Sequence, residues 1–263
     1  MRIFAILGLL LAVAAAPPAA KPVGPWVVDF QPTHCIASRQ YDAGGTLVIF
    51  GLEAIPTQEG RHIFFQRSGK LRLMDLEDSD IRVGGKRIGK SLIAEPVVQK
   101  GNVRYSTTLE PEEYRALLDQ KAISVRSHPV KAALSFTSLE AVDEQLANCV
   151  SLMLENLGVS RDEQAKIASY PKIELADRPK LGAGGYPDDA QRRGAMGSIR
   201  LMVMVNEAGK VTDCRRVRTS GHPDLDSDAC SAMRTHAVFQ PARDRQGRPI
   251  ASLYVTDFSY LFL

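Results

Sequence analysis

The side chains best suited to chemistry in this chain are few. Cys214, Cys230, His222 and His236 supply two thiols and two imidazoles, the donor types that hold zinc. Their spacing fits no compact ligand pattern, so no metal is expected. Asp224, Asp226 and Asp228 alternate like the start of a calcium loop. The required glycine and the closing bidentate glutamate are missing, and aspartates at a helix start explain the run more simply. His34 beside Cys35 has the composition of a thiol–imidazole pair; if Cys35 is bonded, His34 is an ordinary strand residue. There is no Gly-x-Ser-x-Gly elbow, phosphate loop or dinucleotide fingerprint. Gly182–Gly185 follows no strand and reads as linker. No enzyme and no cofactor are expected.

Composition narrows the class further. A length of 263 residues allows one large or two medium domains, and 44% hydrophobic with 24% charged residues is ordinary for a globular protein. The net charge of +3 is mild, and no basic stripe carries interleaved aromatics, so nucleic acid is not expected as a partner. Arg192, Arg193, Arg215, Arg216, Arg218 and Arg234 offer contacts for acidic partners, peptidoglycan carboxylates or lipid phosphates; a solvated sheet face is the plainer reading. Arg243, Arg245 and Arg248 are read the same way.

The start of the chain has the form of a leader. Arg2 precedes an apolar run, Ile3–Val13, and small residues at Ala14–Ala16. The run is short of the about 20 residues of a membrane span. Residues 1–20 are therefore expected to be a cleaved signal peptide, and the protein periplasmic; the alternative is a retained inner-membrane anchor. No cysteine stands at the cleavage position, which argues against a lipoprotein. The four cysteines, an even count in an exported chain, favour disulfides, and three pairings are open.

The elements that must position these residues follow in order. Residues 17–25 are Pro/Ala/Gly-rich and expected to be mobile. Strands are expected at Thr46–Phe50, His62–Phe65, Leu71–Met74, Ile81–Val83 and Ile123–Arg126. Pro111–Leu118 reads as a helix with proline in its first turn and Glu112 and Glu113 behind it. Ser138–Cys149 reads as another, with Ser138 as N-cap and Leu139, Val142, Leu146 and Cys149 at helical spacing. Residues 26–155 form a β-rich domain closed by a helix, and residues 156–184 a connector without periodicity.

Residues 185–263 have a more specific order. Tyr186–Pro187 precedes an alternating strand, Ser198–Val205, with Ile199, Leu201, Val203 and Val205 on its apolar face. A turn at Asn206–Gly209 leads into Lys210–Val217. Leu225–Asp226 and Ala229–Cys230 lie in a helix, Phe239–Ala242 closes it, and a last strand alternates from Ser252 to Phe262. This succession resembles the C-terminal domain of the TonB family. The resemblance implies a three-stranded antiparallel sheet with two helices, making the whole chain α+β. It also implies a non-enzymatic role in which an edge strand, here Ser252, Leu253, Tyr254, Val255, Thr256, Asp257 and Phe258, takes up an extended segment of a protein partner, such as a TonB-dependent outer-membrane transporter. With two domains, Cys35–Cys149 and Cys214–Cys230 are the favoured pairs, because each falls within one domain. The connector lacks the long Pro/Lys/Glu tract of an energy transducer. An envelope structural or assembly role, with peptidoglycan contact or a homodimer, is the alternative. A membrane-anchored energy transducer is a further alternative should residues 3–16 be retained.

Overall fold

The computed structural model describes residues 16–31, 34–69, 80–89, 93–96, 101–127, 130–174 and 186–260. The leader run, the expected strand at Leu71–Met74, His128 and the Gly182–Gly185 stretch lie outside these residues.

The first half begins with β1 (Lys21–Gln31), β2 (His34–Asp42), β3 (Leu47–Ala54) and β4 (Arg61–Ser68). It continues with β5 (Ile81–Val83), β6 (Lys86–Arg87), β7 (Ile93–Pro96) and β8 (Asn102–Leu109). α1 (Pro111–Gln120), β9 (Ala122–Ser127), β10 (Val130–Ser135) and α2 (Leu139–Asn156) complete it. These make an antiparallel six-stranded sheet in the order β1-β2-β3-β4-β8-β7 and a four-stranded sheet, β10-β9-β5-β6. Period-two burial explains the sheets: Val48, Phe50 and Leu52 of β3 and Val103 and Tyr105 of β8 turn inward. Phe50 meets Trp26, Phe65 and Phe136, so aromatic contacts link different parts of one core. α2 lays Leu139, Val142, Leu146 and Cys149 on that core, and Cys149 is bonded to Cys35 of β2.

One local reading is corrected, and a second gains a detail. Residues 21–25 belong to β1, and the chain before them is tied down: the Ala20 N–H donates to the Ala133 carbonyl at 2.8 Å, and the Ala133 N–H to that of Pro18 at 2.8 Å. Backbone pairing with β10 overrides the Pro/Ala/Gly composition. Ser138 stands at the N-cap of α2 but in left-handed backbone (φ 59°), and its side chain makes no capping bond. α1 matches its expected start, with Pro111 in the first turn and a capping box between Glu110 and Glu113.

The second half holds α3 (Arg161–Lys166), β11 (Ile167–Ser169), β12 (Lys172–Ile173), α4 (Asp188–Arg192), β13 (Gly197–Val205) and β14 (Val211–Arg218). α5 (Pro223–His236), β15 (Phe239–Gln240), β16 (Ala242–Asp244), β17 (Pro249–Ile250) and β18 (Ser252–Tyr260) follow. The main sheet is three-stranded and antiparallel, β14-β13-β18. Ile199, Leu201, Val203 and Val205 meet Leu225, Ala229 and Met233 of α5, and the Cys214–Cys230 bond pins that helix to β14. The turn after β13 is shaped by Asn206, whose Oδ1 accepts from the N–H groups of Ala208 and Lys210. Gly209 there has φ 74°, and a Cβ would lie 2.0 Å from the Phe239 carbonyl oxygen, so only glycine fits.

The stretch read as a connector is partly built into this second body. β11 pairs with β16 and β12 with β15, both antiparallel. Ser160 and Glu163 form a capping box that starts α3. Such short pairings carry no periodicity long enough to see in the residues. The protein is α+β, strand-rich, with several antiparallel sheets.

The Cys35–Cys149 bond closes a separation of 114 residues. In the chain-entropy model its loss is worth about 4–5 kcal/mol. We expect a Cys35→Ser/Cys149→Ser variant to lose about that much stability in urea unfolding. Loss of Cys214–Cys230, separated by 16 residues, should cost less, about 3 kcal/mol.

Candidate functional site

The second face of the β14-β13-β18 sheet is where the two halves meet. Along β13 the residues alternate, so Arg200, Met202 and Met204 point away from α5. Met202, Leu253 and Val255 are buried with Ile55 and Leu154 of the first half, and Val150, Leu157 and Val159 pack around them. Arg200 sits beside this apolar cluster with a side chain only 3% exposed. Its Nε donates to Asp257 Oδ1 at 2.8 Å and its Nη2 to Asp257 Oδ2 at 2.5 Å. Nη2 also lies 3.5 Å from Glu53 Oε1. Arg218 reaches Asp257 Oδ1 at 3.0 Å from the β14 side.

The fourth member of this cluster is His34. Arg200 Nη1 lies 2.9 Å from His34 Nδ1. A guanidinium only donates, so Nδ1 is the acceptor and the ring is neutral. Its proton then sits on Nε2, which faces Glu53 Oε1 at 3.6 Å. Burial pushes the His34 pKa below its ordinary 6.5; Arg200 and Arg218 push the same way, against Glu53 and Asp257. His34 therefore serves the junction, and Cys35 beside it is locked in a disulfide.

The Ser252–Phe258 segment lies in β18, which is an edge of its sheet among the described residues. Much of it is covered: Ser252, Leu253 and Val255 are buried. Tyr254 stacks edge-on against Phe239 with ring centres 4.9 Å apart, and Phe258 packs near Tyr260 at 5.2 Å. Asp257 belongs to the Arg200 cluster. The outward backbone groups of Val255 are met from the first half. Its N–H donates to Thr57 Oγ1 at 2.7 Å, and its carbonyl accepts from Gln58 Nε2 at 3.4 Å. The opposite edge is met from within. On β14 the Cys214 N–H donates to Asp213 Oδ1 at 2.9 Å, and its carbonyl accepts from Arg234 Nη2 at 3.2 Å.

The arginine cluster is balanced by aspartates. Arg192 pairs with Asp189, and Arg193 with Asp224 at 2.8 Å. Arg215 reaches Asp213 at 2.9 Å, Arg216 reaches Asp226 at 3.0 Å, and Arg234 reaches Asp213 at 3.7 Å. In the second cluster Arg248 holds Asp244 at 2.7 Å. Asp226 does more than start a helix. It is buried and accepts from the Thr219 hydroxyl at 2.6 Å and from the Ser220 N–H at 2.8 Å. Burial pushes its carboxyl up, but these bonds and Arg216 outweigh that and hold it below the usual range. No group of three or more His, Cys, Asp or Glu able to hold a metal occurs among the described residues. Cys214 and Cys230 are consumed by their disulfide.

Two features of the junction escape sequence reading: the Arg200–Asp257–Glu53–His34 cluster and the Thr57–Val255 contact. The one visible signal is an arginine in the middle of an otherwise apolar strand.

A small sheet backed by a disulfide-pinned helix, with one edge strand at the chain's end, defines the class of this second body. Residues 184–261 match the family model described as Gram-negative bacterial TonB protein C-terminal. That agrees with the resemblance read from residues 185–263. No curated protein matches the chain. No helix among the described residues is long and apolar enough to cross a membrane.

Two outcomes follow for the junction. Arg200→Ala removes the two-point partner of Asp257 and the guanidinium beside Glu53 and His34 while Arg218 stays on Asp257, and we expect a loss of about 3 kcal/mol in denaturant unfolding, the low end for a broken buried pair. His34 resists protonation when folded, so below the ordinary value of 6.5 the unfolded chain takes the proton first. Stability present above that pH should fall as pH drops through the lowered folded value, and His34→Gln should remove that part of the slope.

Proposed function

We propose that this is an exported, non-enzymatic TonB-family protein whose C-terminal domain binds protein partners by β-strand addition along Ser252–Phe258. The carrying observation is that β18, inside the segment matching the TonB C-terminal family, has a strand partner on one side only among the described residues. A strand edge offers N–H and C=O groups in register, so an extended segment gains a ladder of hydrogen bonds while neighbouring side chains set selectivity. Tyr254 and Phe258 are the side chains placed to grade that selectivity. Extended segments of TonB-dependent outer-membrane transporters are the partner class the family suggests. Two disulfides support an oxidising envelope compartment, the periplasm.

The balanced arginines weaken the peptidoglycan alternative, because each named cation of the first cluster already has a carboxylate nearby. A backbone-mediated contact also makes a different demand on salt: a hydrogen-bonded ladder persists where an ionic contact is screened.

The test is a titration of the full chain with short synthetic peptides from the periplasmic ends of such transporters, read by amide NMR. Shifts should centre on Leu253–Asp257 and survive high salt. Peptides N-methylated at alternate residues, which lack the donors for a ladder, should bind at least roughly tenfold more weakly. Shifts confined to α5 or to the arginines, or binding indifferent to N-methylation, would overturn the assignment.

A further inference from the structure

Residues 55–58 form a turn at the junction. The Gln58 N–H donates to the Ile55 carbonyl at 3.3 Å, Pro56 takes the second place, and Thr57 the third with φ 68°. Proline followed by a positive φ is the pattern of a type II turn, whose third position favours glycine or asparagine. A β-branched residue there is a backbone outlier. Thr57 is nevertheless buried, and the strained position aims its hydroxyl at the N–H of Val255. Gln58 continues the contact: its Oε1 lies 3.2 Å from His62 Nε2, which turns its amide NH2 toward the Val255 carbonyl. The two side chains thus take the places that the backbone of an added strand would take at Val255.

From this geometry we infer that the Ile55–Gln58 turn is a built-in occupant of the β18 edge, so that strand addition at the centre of the edge requires this turn to withdraw. The inference rests on the strand-addition reading above and deepens it by naming what competes with the partner. Three observations converge. The contact joins residues 198 positions apart in the chain, so it is no accident of a local turn. It satisfies the donor and the acceptor of one residue together. It is made by a residue type that the turn itself disfavours. Beside it lies a cleft of about 310 Å³ walled by Thr57, Gln58, Tyr170, Ile173 and Tyr254, space into which a side chain of an incoming segment fits. The partner that suits this edge is therefore an extended segment with an uninterrupted backbone donor and acceptor opposite Val255, carrying an apolar or aromatic side chain next to Tyr254.

Thr57→Gly in the full-length protein isolates the effect. Glycine suits the turn, so the fold is retained, while the hydroxyl is removed. Without any partner, exchange of the Val255 amide should quicken by roughly tenfold, the loss of one hydrogen bond. Thr57→Ser keeps the hydroxyl and should keep the protection. The transporter-derived peptides should bind Thr57→Gly severalfold more tightly than the parent chain. Unchanged Val255 exchange in Thr57→Gly, or equal peptide affinity of parent and variant, would overturn the cap. Faster exchange with no peptide binding to either form would support the cap and overturn the partner assignment of the preceding section, so the two readings fail separately.

Discussion

A guanidinium taken out of water has to be met by carboxylates placed around it, and Arg200 sets that requirement at the centre of this molecule. A buried cation without its counter-ions costs several kcal/mol. Asp257 answers it from the neighbouring strand of the same sheet, and Glu53 and His34 answer it from the first half. Neither half satisfies Arg200 alone. The apolar cluster of Ile55, Leu154, Met202, Leu253 and Val255 lies on the same sheet face as Arg200, whose side chain is buried, while Asp257 keeps 30% of its side chain exposed. The small sheet of the second half thus has two buried faces, one under α5 and one under the first half.

This arrangement changes what an edge strand means here. Antiparallel sheets with exposed edges invite unwanted pairing, and proteins blunt them with charges, bulges or covering segments. Both edges of this sheet are treated in that way, by different means. Asp213 and Arg234 cap β14 at Cys214 with side chains of its own body. Thr57 and Gln58 cap β18 from the other half, a device that moves if the halves move. One edge is thus met from within its own body at Cys214 and the other from the first half at Val255.

Much of the fold was legible because its determinants are local. Alternation marked β13, the Asn206–Gly209 turn marked the hairpin, and helical spacing marked α2 and α5. What stayed hidden depends on distant partners. The cover of Arg200, Met202 and Met204 is one example, since alternation separates two faces without saying whether water or another body covers the second. The pairing of residues 167–173 was hidden because strands so short leave no period to read. Ser138 has the right residue type for a cap, yet its backbone turns left-handed and its side chain makes no capping bond. The Ser252–Phe258 segment lies within one strand, but its burial comes from Leu154 and from Ile55–Gln58, whose residue types announce only a turn.

The pairing of β11 with β16 and β12 with β15 bears on how the molecule divides. The boundary of the matched family segment at residue 184 falls after both of those strands. A fragment trimmed to that boundary would leave β15 and β16 with vacant hydrogen-bonding sides, and would bare Met202, Leu253 and Val255 as well. Such a piece would behave as an adhesive surface, and its associations in solution would report the cut rather than the protein. β11 and β12, which precede that boundary, supply the pairing that β16 and β15 need.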